Sequence, residues 1–351
     1  MKTNRPFALA LLATCLLTSL AAAQTFTVTD LGSLALGGTI DVSYGRALNN
    51  LGQVAGSSYT PSSAQHAFFW TKTSGMQDLG TFGGQNSTAW GVNDSSQVVG
   101  EADLANGLTH AFLWTQAQGL QDLGSLSHAS SYAYAINNVG QVVGQAFVSL
   151  NTSHAFLWTA TGGMQDLGTL GGADSVATAI NDLGEVVGYS GLAGGGETHA
   201  FLWTPQRGMQ DLGAVRSYDG SYATGINNSS LIAGYSGAVQ AFQYTWGILW
   251  NNGHSGRRIP FIPGSIEDFP MAINNLNQVT GEFNDSQGNS TAFLYSAADG
   301  IKNLNQAISA NSGWFLTIGT AINHNQQITG WGTVPINGNI FTHAFLLTKV
   351  K

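Results

Sequence analysis

The chain has 351 residues, of which 9% are charged, 43% are hydrophobic and 46 are glycine. Low charge with many apolar residues excludes intrinsic disorder and suits short strands joined by tight turns. A formal net charge of −8 argues against a nucleic-acid partner, which needs a basic surface, and against docking on anionic lipid.

The first element is a leader. Lys2 and Arg5 form a positive head, residues 7–20 an apolar run, and Ala21 and Ala23 a small-x-small cleavage pattern. Residues 1–23 therefore read as a secretory signal peptide. The run is too short to span a bilayer, and no later stretch reaches about 18 apolar residues, so no membrane insertion is expected. Cys15 follows Thr14 and precedes Leu16 and Leu17, a context that does not suit a lipid anchor. Cleavage near Ala23 leaves nine basic and nineteen acidic residues and no cysteine. An exported chain without disulfides must rely on a large core.

The mature chain opens with TFTVTDLGSL, an isolated strand, and continues as a tandem repeat. LNNLGQVAG at 48 returns as VNDSSQVVG at 92, INNVGQVVG at 136 and INDLGEVVG at 180. INNSSLIAG at 226, INNLNQVTG at 273 and INHNQQITG at 322 follow. These seven copies are spaced 44, 44, 44, 46, 47 and 49 residues apart. Each copy is followed by HAFLW or a relative, at 66, 110, 154, 199, 291 and 343, and most by MQDLG or a relative, at 76, 120, 164 and 209. The fifth copy is degraded. WGILW at 246–250 aligns with its third strand better than QAFQY at 240, because a turn-like NNG follows WGILW directly.

Each unit reads as four short strands, A to D. Strand A ends in Ile-Asn, B is GlnValValGly, C is HisAlaPheLeuTrp and D is MetGlnAspLeuGly. Asn-Asn or Asn-Asp supplies the A–B turn. Four strands in about 40–45 residues is the pattern of one propeller blade. The last unit stops at HAFLLTKVK without a D strand, and Asp30-Leu31-Gly32 in the N-terminal strand matches Asp166-Leu167-Gly168. A ring can use that displaced strand to close without edges. The expected fold is an all-β, seven-bladed propeller with four antiparallel strands per blade, spanning 24–351 as one domain. Its last blade is closed by the N-terminal strand.

The HAFLW and GMQDLG segments, preceded by INxxGQVVG, resemble the HAF family of bacterial probable extracellular repeat proteins over nearly the whole mature chain. The resemblance implies export and a repeat fold, and it brings no catalytic residues.

Residues present in every blade solve a problem that every blade has. Trp70, Trp114, Trp158, Trp203 and Trp250 are expected in the core. His66, His110, His154, His199 and His343 are spread around the ring, too far apart to share one ion at about 2.1 Å. Asp78, Asp122, Asp166 and Asp211 are their expected partners. The Ala or Gly before each Ile-Asn faces the crowded ring centre.

Function is sought where the repeat is broken. The B–C loops differ in every unit, and variable loops on a rigid scaffold are where binding concentrates. Acids such as Asp41, Glu101, Asp103, Asp174, Glu197 and Glu282 map to these loops, and most basic residues to the opposite turns, which suggests an acidic loop face. One position at each innermost strand varies: Arg46, Trp90, Tyr134, Thr178, Thr224, Met271 and Thr320. The candidate binding set is Arg46, Trp90, Tyr134, Tyr218, Asp219, Glu267, Asp268 and Trp314, where aromatic rings beside carboxylates suit a sugar. The expected function is a secreted, monomeric, non-catalytic binding module for a glycan, peptide or partner protein. Alternatives are a polymer-acting hydrolase or lyase, needing two carboxylates about 5–10 Å apart, or a structural surface or matrix protein. No Ser-His-Asp or HExxH pattern appears. No catalytic residue and no cofactor or metal is expected, since EFNDSQGNS at 282–290 lacks the spacing of a calcium loop.

Overall fold

The computed structural model describes residues 25–35, 40–216, 219–237, 245–251 and 254–350. The leader at 1–23, and with it Cys15, lies outside the described residues, as does Tyr218. Among them the chain is all-β apart from two 3-10 turns at Leu304–Gln306 and Ala310–Ser312.

An N-terminal strand, β1 (Phe26–Asp30), precedes the first sheet of β2 (Ser43–Leu48), β3 (Val54–Tyr59), β4 (Gln65–Thr71) and β5 (Gly75–Asp78). The second sheet is β6 (Gly83–Val92), β7 (Val98–Leu104), β8 (Thr109–Thr115) and β9 (Gly119–Asp122). The third is β10 (Ser131–Ile136), β11 (Val142–Ser149), β12 (Thr152–Thr159) and β13 (Gly163–Asp166). The fourth is β14 (Gly171–Ile180), β15 (Val186–Leu192), β16 (Thr198–Thr204) and β17 (Gly208–Asp211). Next come β18 (Gly220–Ile226), β19 (Leu231–Gly237), β20 (Thr245–Asn251) and β21 (His254–Arg258). They are followed by β22 (Ser265–Ile273), β23 (Val279–Asp285), β24 (Ser290–Ser296) and β25 (Gly300–Asn303). A single parallel pair, Thr245 with Glu267, joins these two groups into one eight-stranded sheet. The last sheet runs β26 (Phe315–Ile322), β27 (Ile328–Ile336), β28 (Asn339–Lys349) and then β1. WGILW is the third strand of the degraded unit, as its alignment predicts.

The two ends of the chain share that last sheet. β1 lies antiparallel to β28, in register from Phe26 opposite Lys349 to Asp30 opposite Phe345. A side-chain circle closes the same ring at the A–B turns. Asn49 Nδ2 donates to the Asn93 carbonyl at 2.9 Å, and Asn93, Asn137, Asn181, Asn227 and Asn274 each do the same to the next unit. Asn323 returns the circle to the Asn49 carbonyl at 2.9 Å. The same Asn side chains accept from their own turns, as Asn137 Oδ1 does from Gln141 N at 2.8 Å. The Asn residues are therefore bonded rather than left-handed. The left-handed position falls three residues later, at Gly52, Ser96, Gly140 and Gly184 among others.

The hydrophobic core lies between successive sheets. One cluster joins Ala47, Ala55 and Phe69 of the first unit to Val98, Phe112 and Trp114 of the second. Phe68, Phe112, Phe156, Phe201, Phe293 and Phe345 are fully buried at one strand-C position. Trp70, Trp114, Trp203 and Trp250 are buried, and Trp158 packs against a core cluster. Each repeated His meets the Asp of its own sheet: Nδ1 of His66, His110, His154 and His199 lies 2.8–3.0 Å from Asp78, Asp122, Asp166 and Asp211. The Asp also accepts from the backbone of the following Gly, as Asp166 does from Gly168 N at 2.7 Å. His343 uses Asp30 of the N-terminal strand at 2.9 Å and Asp41 at 3.0 Å.

A bulge recurs in every strand A. The A–B register skips one residue between Ala133 and Ala135, and likewise at the equivalent place in all seven copies. The glycine of QVVG makes this possible. A Cβ on Gly144 would lie 1.9 Å from the Tyr132 carbonyl oxygen, and the other copies are as tight. Gly144→Ala is expected to cost on the order of 3 kcal/mol, since backbone must move. Gly191→Ala, whose Cβ would make ordinary contacts of 3.7 Å or more, should cost under ~1 kcal/mol. Urea unfolding of the pair measures the difference, and equal midpoints would refute the clash.

Candidate functional site

The residue skipped by each bulge is the variable position of strand A: Arg46, Trp90, Tyr134, Thr178, Thr224, Met271 or Thr320. A bulged residue has no cross-strand partner and is re-aimed. Here all seven face a cavity of about 590 Å³ along the ring axis. Small residues line its wall beside them, including Ala47, Gly91, Ala135 and Ala179. The Asn side chains line a smaller space of about 220 Å³ at the A–B turn end.

The seven positions divide by what their side chains do. Thr178, Thr224 and Thr320 each donate across a seam to the next unit, to the carbonyls of Ala223, Pro270 and Gly45 at 2.8 Å. Those three hold sheets together. Arg46, Trp90 and Tyr134 make no such bond and stand in consecutive units. The Arg46 guanidinium carbon sits 4.0 Å from the Trp90 ring centre and 5.7 Å from that of Trp331. Trp90 meets Tyr134 edge-on at 5.8 Å, and Tyr44 meets Trp331 edge-on at 5.3 Å. Trp90 Nε1 donates to the Glu101 carboxylate. Burial pushes the Glu101 carboxyl up to about 7, against the pull of the Trp90 hydrogen bond and the Arg46 charge. Burial likewise raises the Tyr134 hydroxyl and lowers the Arg46 guanidinium. An aromatic arc continues on the far side, with Tyr189, Tyr222, Tyr235 and Phe269 at successive centroid distances of 5.1, 5.1 and 5.2 Å.

Of the sequence-derived candidates, the structure brings together Arg46, Trp90 and Tyr134. The other described candidates, Asp219, Glu267, Asp268 and Trp314, do not line this cavity. Trp314 packs edge-on against Phe345 at 6.0 Å within a core cluster. Glu267 accepts from Asn284 Nδ2 at 3.1 Å. Asp219 and Asp268 are fully buried, and no hydrogen bond of good geometry reaches their carboxylate oxygens among the described residues, although the Ser265 hydroxyl lies near enough to Asp268 to pull its carboxyl down against burial. Asp268 occupies a position that is Ser43, Ser87, Ser131, Ser175 and Ser221 in five other units. There the hydroxyl accepts from a strand-C amide of the preceding unit and donates to a glycine carbonyl, as Ser131 does with Ala111 N at 2.9 Å and Gly124 O at 2.5 Å. Acids are not confined to the variable loops, because Asp94 and Asp182 bind neighbouring A–B turns.

Sequence reasoning missed the position after the QVVG glycine, which supplies Glu101, Tyr189 and Trp331. Its signal was present: Ser57, Glu101, Gln145, Tyr189, Tyr235, Glu282 and Trp331 vary at one site of an otherwise regular strand.

No family model and no curated protein matches the chain. Solved structures do. Virginiamycin B lyase from Staphylococcus aureus is similar at 12% identity and a TM-score of 0.54, over 93% of this chain and 100% of that one. The β-propeller domain of the Trilobed protease from Pyrococcus furiosus matches at 7% identity and 0.55, over 89% and 98%. BP39L lectin from Burkholderia pseudomallei matches at 10% identity and 0.50, over 91% and 94%. At such identities the likeness defines the fold alone. The chain is a β-propeller whose axial cavity is walled by aromatic rings.

Proposed function

We propose that this chain is an exported, seven-bladed propeller of the HAF repeat type that binds an extracellular glycan at the variable-loop mouth of its axial cavity. The carrying observation is the concentration of Arg46, Trp90, Tyr134, Tyr189 and Trp331 around one concave space of about 590 Å³. Aromatic faces stack on sugar rings, and a few polar groups among them fix orientation. The leader at 1–23 supports export, and the seven bulges and the seven-membered Asn circle support the blade count. The lectin among the structural neighbours accords with a sugar site at the level of the fold. Turnover is the weaker reading, because the described residues lining the cavity include no carboxylate and paired-carboxylate chemistry needs two.

A glycan-array screen of the mature protein tests the site. Trp90→Ala and Tyr134→Ala should each weaken binding by about tenfold or more, the loss of one stacked aromatic contact. Retained binding in both variants would remove the axial cavity from consideration. Release of shortened sugars from any bound polymer would favour the enzyme reading instead.

A further inference from the structure

Among the described residues, Arg46 is the only charged one lining the axial cavity. Arginine stays protonated in proteins, so the cavity wall carries a full positive charge. None of its nitrogens has a hydrogen-bond partner among the described residues, and Nε is shut off from solvent. Its neighbours are π faces: Trp90 at 4.0 Å, Trp331 at 5.7 Å and Tyr44 at 5.8 Å. Stacking on rings fixes the plane of a guanidinium but leaves its N–H edges unused. Glu101 does not use them either. No ion pair joins it to Arg46, and its carboxylate instead accepts from Trp90 Nε1. Glu101 acts on the Arg46 charge without touching it; burying a cation with no anion in hydrogen-bond contact is costly, and the fork of N–H donors matches a planar carboxylate.

We propose that the axial site selects acidic saccharides: the Arg46 guanidinium takes a sugar carboxylate while Trp90 and Tyr134 take the ring face. This inference rests on the reading of the cavity as a glycan site and narrows its ligand class. A carboxylate fits better than a sulfate ester of equal charge, because its two coplanar oxygens can lie in the guanidinium plane that the rings fix, whereas sulfate oxygens are tetrahedral. Trp90 then serves twice, as a stacking face for Arg46 and as the clamp that turns the Glu101 carboxylate away from it.

The test uses titration calorimetry with the mature protein and three probes. These are an oligogalacturonate, the same oligosaccharide with its carboxyls reduced to alcohols, and a sulfated neutral oligosaccharide. The oligogalacturonate should bind at least about tenfold more tightly than its reduced form, with affinity falling as salt rises. Arg46→Met, which keeps the stem, should erase that preference. Glu101→Gln removes the neighbouring carboxylate without touching the guanidinium and should tighten acidic binding at pH 8. Arg46, Asp103 and Tyr134 are the other titratable groups that act on Glu101. Should Arg46→Met not fold, the Glu101→Gln variant decides alone, and unchanged affinity would overturn the proposal. Equal binding of acidic and reduced probes, tighter binding of the sulfated one, or a preference that survives in Arg46→Met would also overturn it. If any of those results is seen while Trp90→Ala abolishes binding of every probe, the acid preference fails and the axial glycan site stands. If no probe depends on Trp90, both fail.

Discussion

Deleting residues 24–33 is expected to lower the melting temperature by about 10 °C or more and to make the protein aggregate. Phe26 is 4% exposed and sits in a core cluster with Leu304, Leu316 and Phe345. Losing such a ring costs about 3–5 kcal/mol. Leu31, 5% exposed in a neighbouring cluster, adds to that loss. Asp30 leaves His343, itself 3% exposed, with one carboxylate partner in place of two. The eleven-residue strand β28 then presents a bare edge of amides and carbonyls, a template for pairing with other chains. A synthetic peptide of residues 24–33, added in excess, should bind that edge and recover most of the lost stability. Differential scanning calorimetry measures both effects. A truncated chain melting within about 2 °C of the full one would mean that β1 contributes little.

Asp268→Ser is expected to stabilise the protein at pH 8 by about 2–4 kcal/mol and to do little near pH 4. Burial raises the Asp268 carboxyl from 3.8 to about 7, so folding favours its neutral form. For an acid shifted upward, the folded state holds its proton more tightly than the unfolded chain. That contribution is fully present below the unfolded value and is lost as pH climbs to the folded one. Glu101, raised from 4.5 to about 7, acts in the same direction. His343 does too, because against burial, which lowers it, its two carboxylate partners together raise it above 6.5. The wild-type protein should therefore be less stable at pH 8 than at pH 5. Serine at 268 removes the buried charge and restores the group that five other units use to bridge an amide and a carbonyl. Urea unfolding at pH 5 and pH 8 provides the comparison. A variant no more stable than wild type at pH 8 would show that residue 268 does not ionise against its surroundings.

The architecture was legible because each unit repeats its solution to the same packing problem. The displaced Asp30-Leu31-Gly32 triplet located the seam where β1 meets β28, and the Asp of the D strand identified the partner of each His. The QVVG glycine was visible as a motif, but its reason was not: that lies in a carbonyl oxygen of the strand beside it. The site was half legible. Arg46, Trp90 and Tyr134 stand out because they replace threonines that bond across a seam. Trp331 and Tyr189 were missed because they lie on strand B rather than on the innermost strand, and the repeat alone does not show that side chains from strand B reach the cavity. Asp268 looked like a surface acid in a loop. Aligned on its Ile-Asn, it falls on the buried serine position, and only that alignment predicts its burial.

The pairing of β1 with β28 has a mechanical consequence. Phe26 faces Lys349 at one end of the pair, and Asp30 faces Phe345 at the other. The chain thus enters and leaves at the same end of two antiparallel strands. Tension between the flanking segments would peel the inter-strand bonds one after another, like a zipper, instead of loading them together in shear. A molecule tethered by one end keeps this seam unloaded, whereas one strung between two anchors opens there first.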